Sequence, residues 1–157
     1  MKEDYIISSE TVVMMSVSNS CCKVFELEKE FLVNLSLEKI LDNSCKYFGS
    51  SLEGRKESSK YHLKYDYKLP IIVDESRNIL VFPTKSYKSI NNYLIFINNI
   101  IDYEKKDDGI IVLASNGKKI YIKESYGIFE NQYLKSQKLL NKYINIKNTS
   151  LNWCIFL

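Results

Sequence analysis

The segment IIVLASNGKKIYIK, residues 110–123, restricts the fold more than any other part of the chain. Two apolar runs flank Asn116-Gly117, and such a pair supplies the two positive-φ residues that a type I′ hairpin turn requires. The alternation in KKIYIK gives this hairpin one buried and one solvated face, so the chain must contain a sheet with a core beneath it. Runs of the same kind precede it: YIIS at 5–8, TVVMMSVS at 11–18, KVFELE at 23–28 and EFLVNL at 30–35. Further along come IIVD at 71–74, NILVFP at 78–83 and the longer NYLIFINNIIDYE. KVFELE and EFLVNL resemble a second hairpin, and a polar turn from Asp74 to Asn78 joins IIVD to NILVFP.

The hydrophobic period changes at Ser36. Leu37, Ile40, Leu41, Ser44 or Cys45, and Phe48 follow a three-and-four spacing behind this capping residue, and Gly49 supplies a left-handed stop, which predicts a helix over 37–48. Ser50-x-x-Glu53 has the form of a capping box, so a second short helix is expected over about 51–61, with free amides beside Ser50 and Ser51. Gly54 weakens that helix by about 1 kcal/mol relative to alanine, which signals a close backbone approach or an irregular helix. A C-terminal amphipathic helix is expected over 126–144, followed by an irregular tail over 145–157. The architecture is α+β, with a mainly antiparallel sheet and one domain spanning residues 1–157.

Composition narrows the class of function. The 157 residues are 45% hydrophobic and 26% charged, with 5 Gly and 2 Pro, which suits a folded soluble domain. No secretory leader is legible and YLIFINNII is too short to span a bilayer, so a cytoplasmic protein with no membrane partner is expected. Cys21, Cys22, Cys45 and Cys154 form no C-x-x-C pair and read as free, mostly buried thiols, with no metal site. His62 is the one histidine, and no motif around it suggests a catalytic triad. The glycines match no phosphate-loop spacing. The chain reads as a non-enzyme without a cofactor.

Charge is uneven along the chain. The formal net charge is +3, yet residues 109–157 alone carry seven lysines against two carboxylates. Such a distribution suits a nucleic-acid or anionic partner without requiring one. CKYFGSSLEGRK, residues 45–56, concentrates the question. It is either an ordinary helix end followed by a solvated helix or a surface that holds something anionic. Cys45, Tyr47 and Phe48 read as core. Arg55 and Lys56 are adjacent cations with no evident role in a core, and Lys56 and Lys60 share a helical face.

Taken in order, CKYFGSSLEGRK, LPIIVDESRNILVFPTKS, SNGKKI and SYGIFENQ resemble the bacterial competence transcription factor family, ComK, over about Lys23 to Tyr143. The resemblance implies a nucleoid-associated activator of DNA-uptake and recombination genes that binds double-stranded DNA at A/T-rich promoter boxes as a homo-oligomer, chiefly through the minor groove. Under it, Ser50, Ser51, Arg55 and Lys56 suit a phosphate backbone or a narrow groove, with Lys60, Arg77, Lys118 and Lys119 as further phosphate contacts. Relatives commonly carry a Cys-x-Trp element where this chain has Asn92 and Leu94. They also extend beyond the last helix into a region associated with activation and with a protease adaptor, so contacts with RNA polymerase and the adaptor are expected to be weakened here. The alternatives are a truncated copy that binds DNA without activating and a non-DNA oligomerising interaction protein.

Overall fold

The computed structural model describes residues 1–156, with side chains described through Thr149. The strands are β1 (Thr11–Ser18), β2 (Cys21–Glu26), β3 (Glu30–Val33), β4 (Ile71–Asp74), β5 (Ile79–Pro83), β6 (Tyr93–Phe96), β7 (Ile100–Lys106), β8 (Gly109–Ala114) and β9 (Lys119–Ile122). Helices α1 (Leu37–Tyr47) and α2 (Leu52–Leu63) lie between β3 and β4, and α3 (Tyr126–Phe156) follows β9. All strand pairs are antiparallel, in a six-stranded sheet of order β3-β2-β1-β6-β5-β4 and a three-stranded sheet of order β7-β8-β9. The α+β architecture read from the periodicity is the one that forms.

The central strands are apolar on both faces because both faces are covered. Along β5, Ile79 and Val81 enter one core cluster while Leu80 and Phe82 enter the other, as a period of two demands. On the first face α1 buries Leu37, Ile40, Leu41 and Cys45. On the second lie Ile110, Val112, Ile120 and Ile122 of the small sheet with Phe129 and Leu139 of α3. Phe82 and Phe129 meet edge to face with centroids 5.2 Å apart. Each fully buried side chain of this size contributes about 1.5–3 kcal/mol.

Helix α2 belongs to neither face alone. Leu52 at its start joins the first cluster and Leu63 at its end joins the second, so the helix passes around the β4 edge and closes it. This wrap, rather than a continuous apolar stripe, holds α2 and sets its polar side outward.

Several local expectations are corrected. Residues 5–8 form no strand: Ile7 N–H donates to Ser44 Oγ at 3.0 Å instead of to a ladder, while Tyr5 and Ile7 enter the core. The β8–β9 turn is not type I′, because only Gly117 has positive φ, at 90°. Ala114 O accepts from Gly117 N at 3.0 Å and Ala114 N donates to Lys118 O at 2.8 Å, the three-residue loop in which glycine follows a type I turn. Helix α2 is capped by Ser51, not Ser50, and ends at Leu63. The segment 145–157, expected to be irregular, continues α3 to Phe156, since no glycine or proline follows Gly127 to stop it.

Candidate nucleic-acid interface

The start of α2 does hold an anion, but one supplied by the protein. Asp42 Oδ1 accepts from Leu52 N–H at 3.0 Å, and Ser51 Oγ accepts from Gly54 N–H at 3.0 Å. Lys46 meets the other Asp42 oxygen at 3.0 Å. The Leu52 amide above all, then Lys46, holds the Asp42 carboxyl below the ordinary aspartate range. Two of the leading amides expected to be free are therefore already engaged. Gly54 is the close approach its position suggested, since a Cβ there would sit 2.8 Å from Ser50 Oγ.

The two adjacent cations diverge. Arg55 Nη1 lies 2.8 Å from Glu75 Oε1 and its side chain is 11% exposed, so it ties α2 to the β4–β5 turn. Lys147 of α3 donates to Glu75 O and Asn78 Oδ1 of that same turn, which thereby joins two helices. Lys56 reaches Glu53 at 3.4 Å and stands over the Tyr87 ring, 4.9 Å from its centroid. Of the aromatic pair before Gly49, Phe48 packs on the core, whereas Tyr47 is 70% exposed and not part of it. Burial pushes the Cys22 and Cys45 thiols up to about 12, so both stay protonated.

The remaining candidates fall in two places. Lys60, near the end of α2, pairs at 2.9 Å with Asp66 while both side chains remain well exposed. Arg77 lies in the β4–β5 turn, 3.8 Å from Asp74. Lys118 and Lys119 stand on the β8–β9 hairpin, where Lys118 faces Glu30 at 3.7 Å and Lys119 is exposed. Lys118 is thus bound to the β2–β3 side, and four strand spacings of ~4.8 Å put that side ~19 Å from β4. Ser51, Arg55, Lys56 and Lys60 thus cap or lie on α2, with Ser50 just before it and Arg55 turned away to Glu75, whereas Lys118 and Lys119 stand apart.

A second group was missed in the sequence. Lys64, Tyr65, Tyr67 and Lys68 follow α2, and Lys135 and Lys138 of α3 lie over Tyr65 at 4.7 and 5.9 Å. Burial first, and Lys68 second, push Lys135 below the ordinary lysine value. The alternation KYDYK was visible in the chain; its meeting with lysines more than sixty residues later was not.

The position of the family's Cys-x-Trp element has a structural role here. Buried Asn92 Oδ1 accepts from Thr84 N and Lys85 N at 3.1 and 3.0 Å, and its Nδ2 donates to Ser86 O at 3.2 Å. One amide side chain thus closes the 84–92 loop. Among the described residues, no group of three or more His, Cys, Asp or Glu side chains is placed to hold a metal ion. No helix among them is long and apolar enough to cross a membrane.

The model of the family described as "ComK protein" matches residues 2–147. A curated relative, the competence transcription factor of Bacillus subtilis (strain 168), is 32% identical over 145 residues, covering 90% of this chain and 76% of the relative. No solved structure matches the chain.

Proposed function

The chain belongs to the ComK family of competence transcription factors, and from that premise we propose that it binds double-stranded DNA at A/T-rich promoter boxes of DNA-uptake and recombination genes. The observation that carries this reading is the family match itself, which extends across every strand and both short helices. The exposed side of α2 supports a location for the contact. Lys56 and Lys60 lie one helical turn apart on a helix that closes a sheet edge, with the Ser50 and Ser51 hydroxyls at its start.

In this reading Lys56 and Lys60 neutralise phosphates, Ser50 and Ser51 donate to the same strand, and Arg77 flanks the contact, while Lys118 and Lys119 stand apart from it. Arg55 acts through Glu75 by fixing the turn that carries Arg77. Nothing in the set is a base-reading helix of Asn, Gln and Arg, so preference for A·T steps comes from minor-groove width, its negative potential and duplex deformability. The family resemblance adds a homo-oligomer on paired boxes and a place in the cytoplasm at the nucleoid.

Gel-shift titration on an A/T-box duplex and a shuffled G·C-rich duplex, at several salt concentrations and with a minor-groove-blocking competitor, tests the proposal. Preferential binding to the A/T duplex, lost to the competitor, is expected. Lys56→Ala and Lys60→Ala should each lower the salt slope by about one. Equal binding to both duplexes, or competitor-resistant binding, would overturn groove recognition; unchanged slopes would remove α2 from the contact.

A further inference from the structure

Three tyrosines within seven residues stand out from the protein beside the end of α2. Tyr61, Tyr65 and Tyr67 are 78%, 41% and 63% exposed. Large aromatic rings left in water at this density need a reason, because burying each one elsewhere would stabilise the fold. They are interleaved with Lys60, Lys64 and Lys68, and Lys135 and Lys138 close over Tyr65 from α3. The carboxylates on this surface are Asp66 and Glu57, fewer than the ammonium groups around them.

The segment that carries the rings is built rather than loose. Lys64 caps α2 in the left-handed conformation at φ 60°, its N–H donating to Lys60 O at 2.8 Å. Lys68 is left-handed too, at φ 50°. Each costs about 1 kcal/mol that glycine would avoid, yet both positions hold a cation. Gln132 Nε2 of α3 donates to Lys68 O at 2.8 Å and to Pro83 O at 2.7 Å, and Lys68 Nζ donates to Thr84 O at 3.3 Å. The segment runs between two depressions. One is lined by Glu57, Lys60, Tyr61 and Lys64, the other by Lys56, Tyr67, Lys68 and Lys88, and Asp66 belongs to both.

We infer that this surface binds an unpaired DNA strand, with bases stacked on Tyr61 and Tyr67, the lysine-covered Tyr65 between them, and the backbone phosphates held by Lys60, Lys64, Lys68 and Lys138. A duplex answers only half of this chemistry, because its bases are already stacked on one another; a single strand offers both free base faces and phosphates. An acidic protein segment would satisfy the lysines and leave the rings idle. The choice of DNA over RNA rests on the duplex-binding reading above; the stacking surface does not.

Fluorescence anisotropy with labelled oligo(dT) of twenty nucleotides, oligo(rU) of the same length, A/T-box duplex and poly-glutamate separates these cases. The double variant Tyr61→Ala/Tyr67→Ala should weaken oligo(dT) binding at least about tenfold while leaving duplex binding and the thermal midpoint unchanged. Tyr61→Phe/Tyr67→Phe should keep it. Oligo(dT) binding unaffected by the alanine pair, equally damaged by the phenylalanine pair, or matched by poly-glutamate would overturn the inference. Tighter binding of oligo(rU) than oligo(dT) would overturn its assignment to DNA. Loss of duplex binding alone would overturn the proposed function and leave this surface standing.

Discussion

At the start of α2, Arg55 and Lys56 lie against Glu75 and Glu53 while the leading amide lies against Asp42. At its end, Lys60, Lys64 and Lys68 share a surface with Lys135 and Lys138, and burial first, with the nearby ammonium of Lys68 second, makes Lys135 easier to deprotonate. The two regions are of similar composition and lie within one helix of each other. A cation's partners, not its presence, therefore decide what it does. Arg55 braces the fold through Glu75, whereas the second set gathers more ammonium groups than carboxylates on one exposed surface, an excess that a polyanion would relieve.

Arg55→Ala puts this contrast at greatest risk. With its side chain largely buried against a half-exposed Glu75, the loss should cost roughly 2 kcal/mol in chemical denaturation and leave the salt slope of duplex binding intact. The reverse outcome, normal stability with a reduced slope, would move Arg55 from brace to contact and erase the distinction. Next in size is Asp42→Asn, which should remove about 1–1.5 kcal/mol at neutral pH by weakening the cap on Leu52. The Asp42 carboxyl titrates lower in the folded chain than in the unfolded one, so its contribution is complete above the ordinary aspartate value and fades as pH falls toward the folded value. The variant should therefore lose less stability than the parent as pH falls below the ordinary aspartate value of about 3.9; parallel pH profiles would show that Asp42 is not the cap.

Lys64→Gly probes the other half. Relieving the left-handed lysine should raise stability by about 1 kcal/mol while weakening the binding of oligo(dT). A variant both more stable and fully competent would mean that the cation there serves nothing. The smallest effect is that of Lys60→Ala, whose exposed pair with Asp66 should be worth under about 0.5 kcal/mol in thermal or denaturant unfolding. A larger loss would show that the end of α2, too, is a brace.

Much of the fold is legible in the chain because it is written locally. TVVMMSVS coincides with β1, Ser36 caps α1 through Lys39 N–H at 3.1 Å, and the apolar positions that follow it are the ones buried. The differences arise where a distant contact outweighs a local preference. YIIS has strand composition, but its backbone bonds Ser44 across thirty-seven residues. Ser50 fits a capping box, yet its N–H donates to Cys45 O and closes α1, leaving the α2 cap to Ser51. Tyr47 reads as core beside Phe48, but adjacent residues near a helix end point to different sides, and its side is solvent.

Order along the chain was enough to establish the α+β class, the hairpins and the family, because period, caps and turn residues act over a few positions and survive in any linear reading. The fate of each cation was settled only by folding. Arg55 meets Glu75 from twenty residues away, and Lys68 and Lys135 come together from 67 positions apart. Coulomb interactions fall with distance through space and take no account of separation along the backbone, so neutralisation at one end of α2 and crowding at the other exist only once the sheet edge has been wrapped.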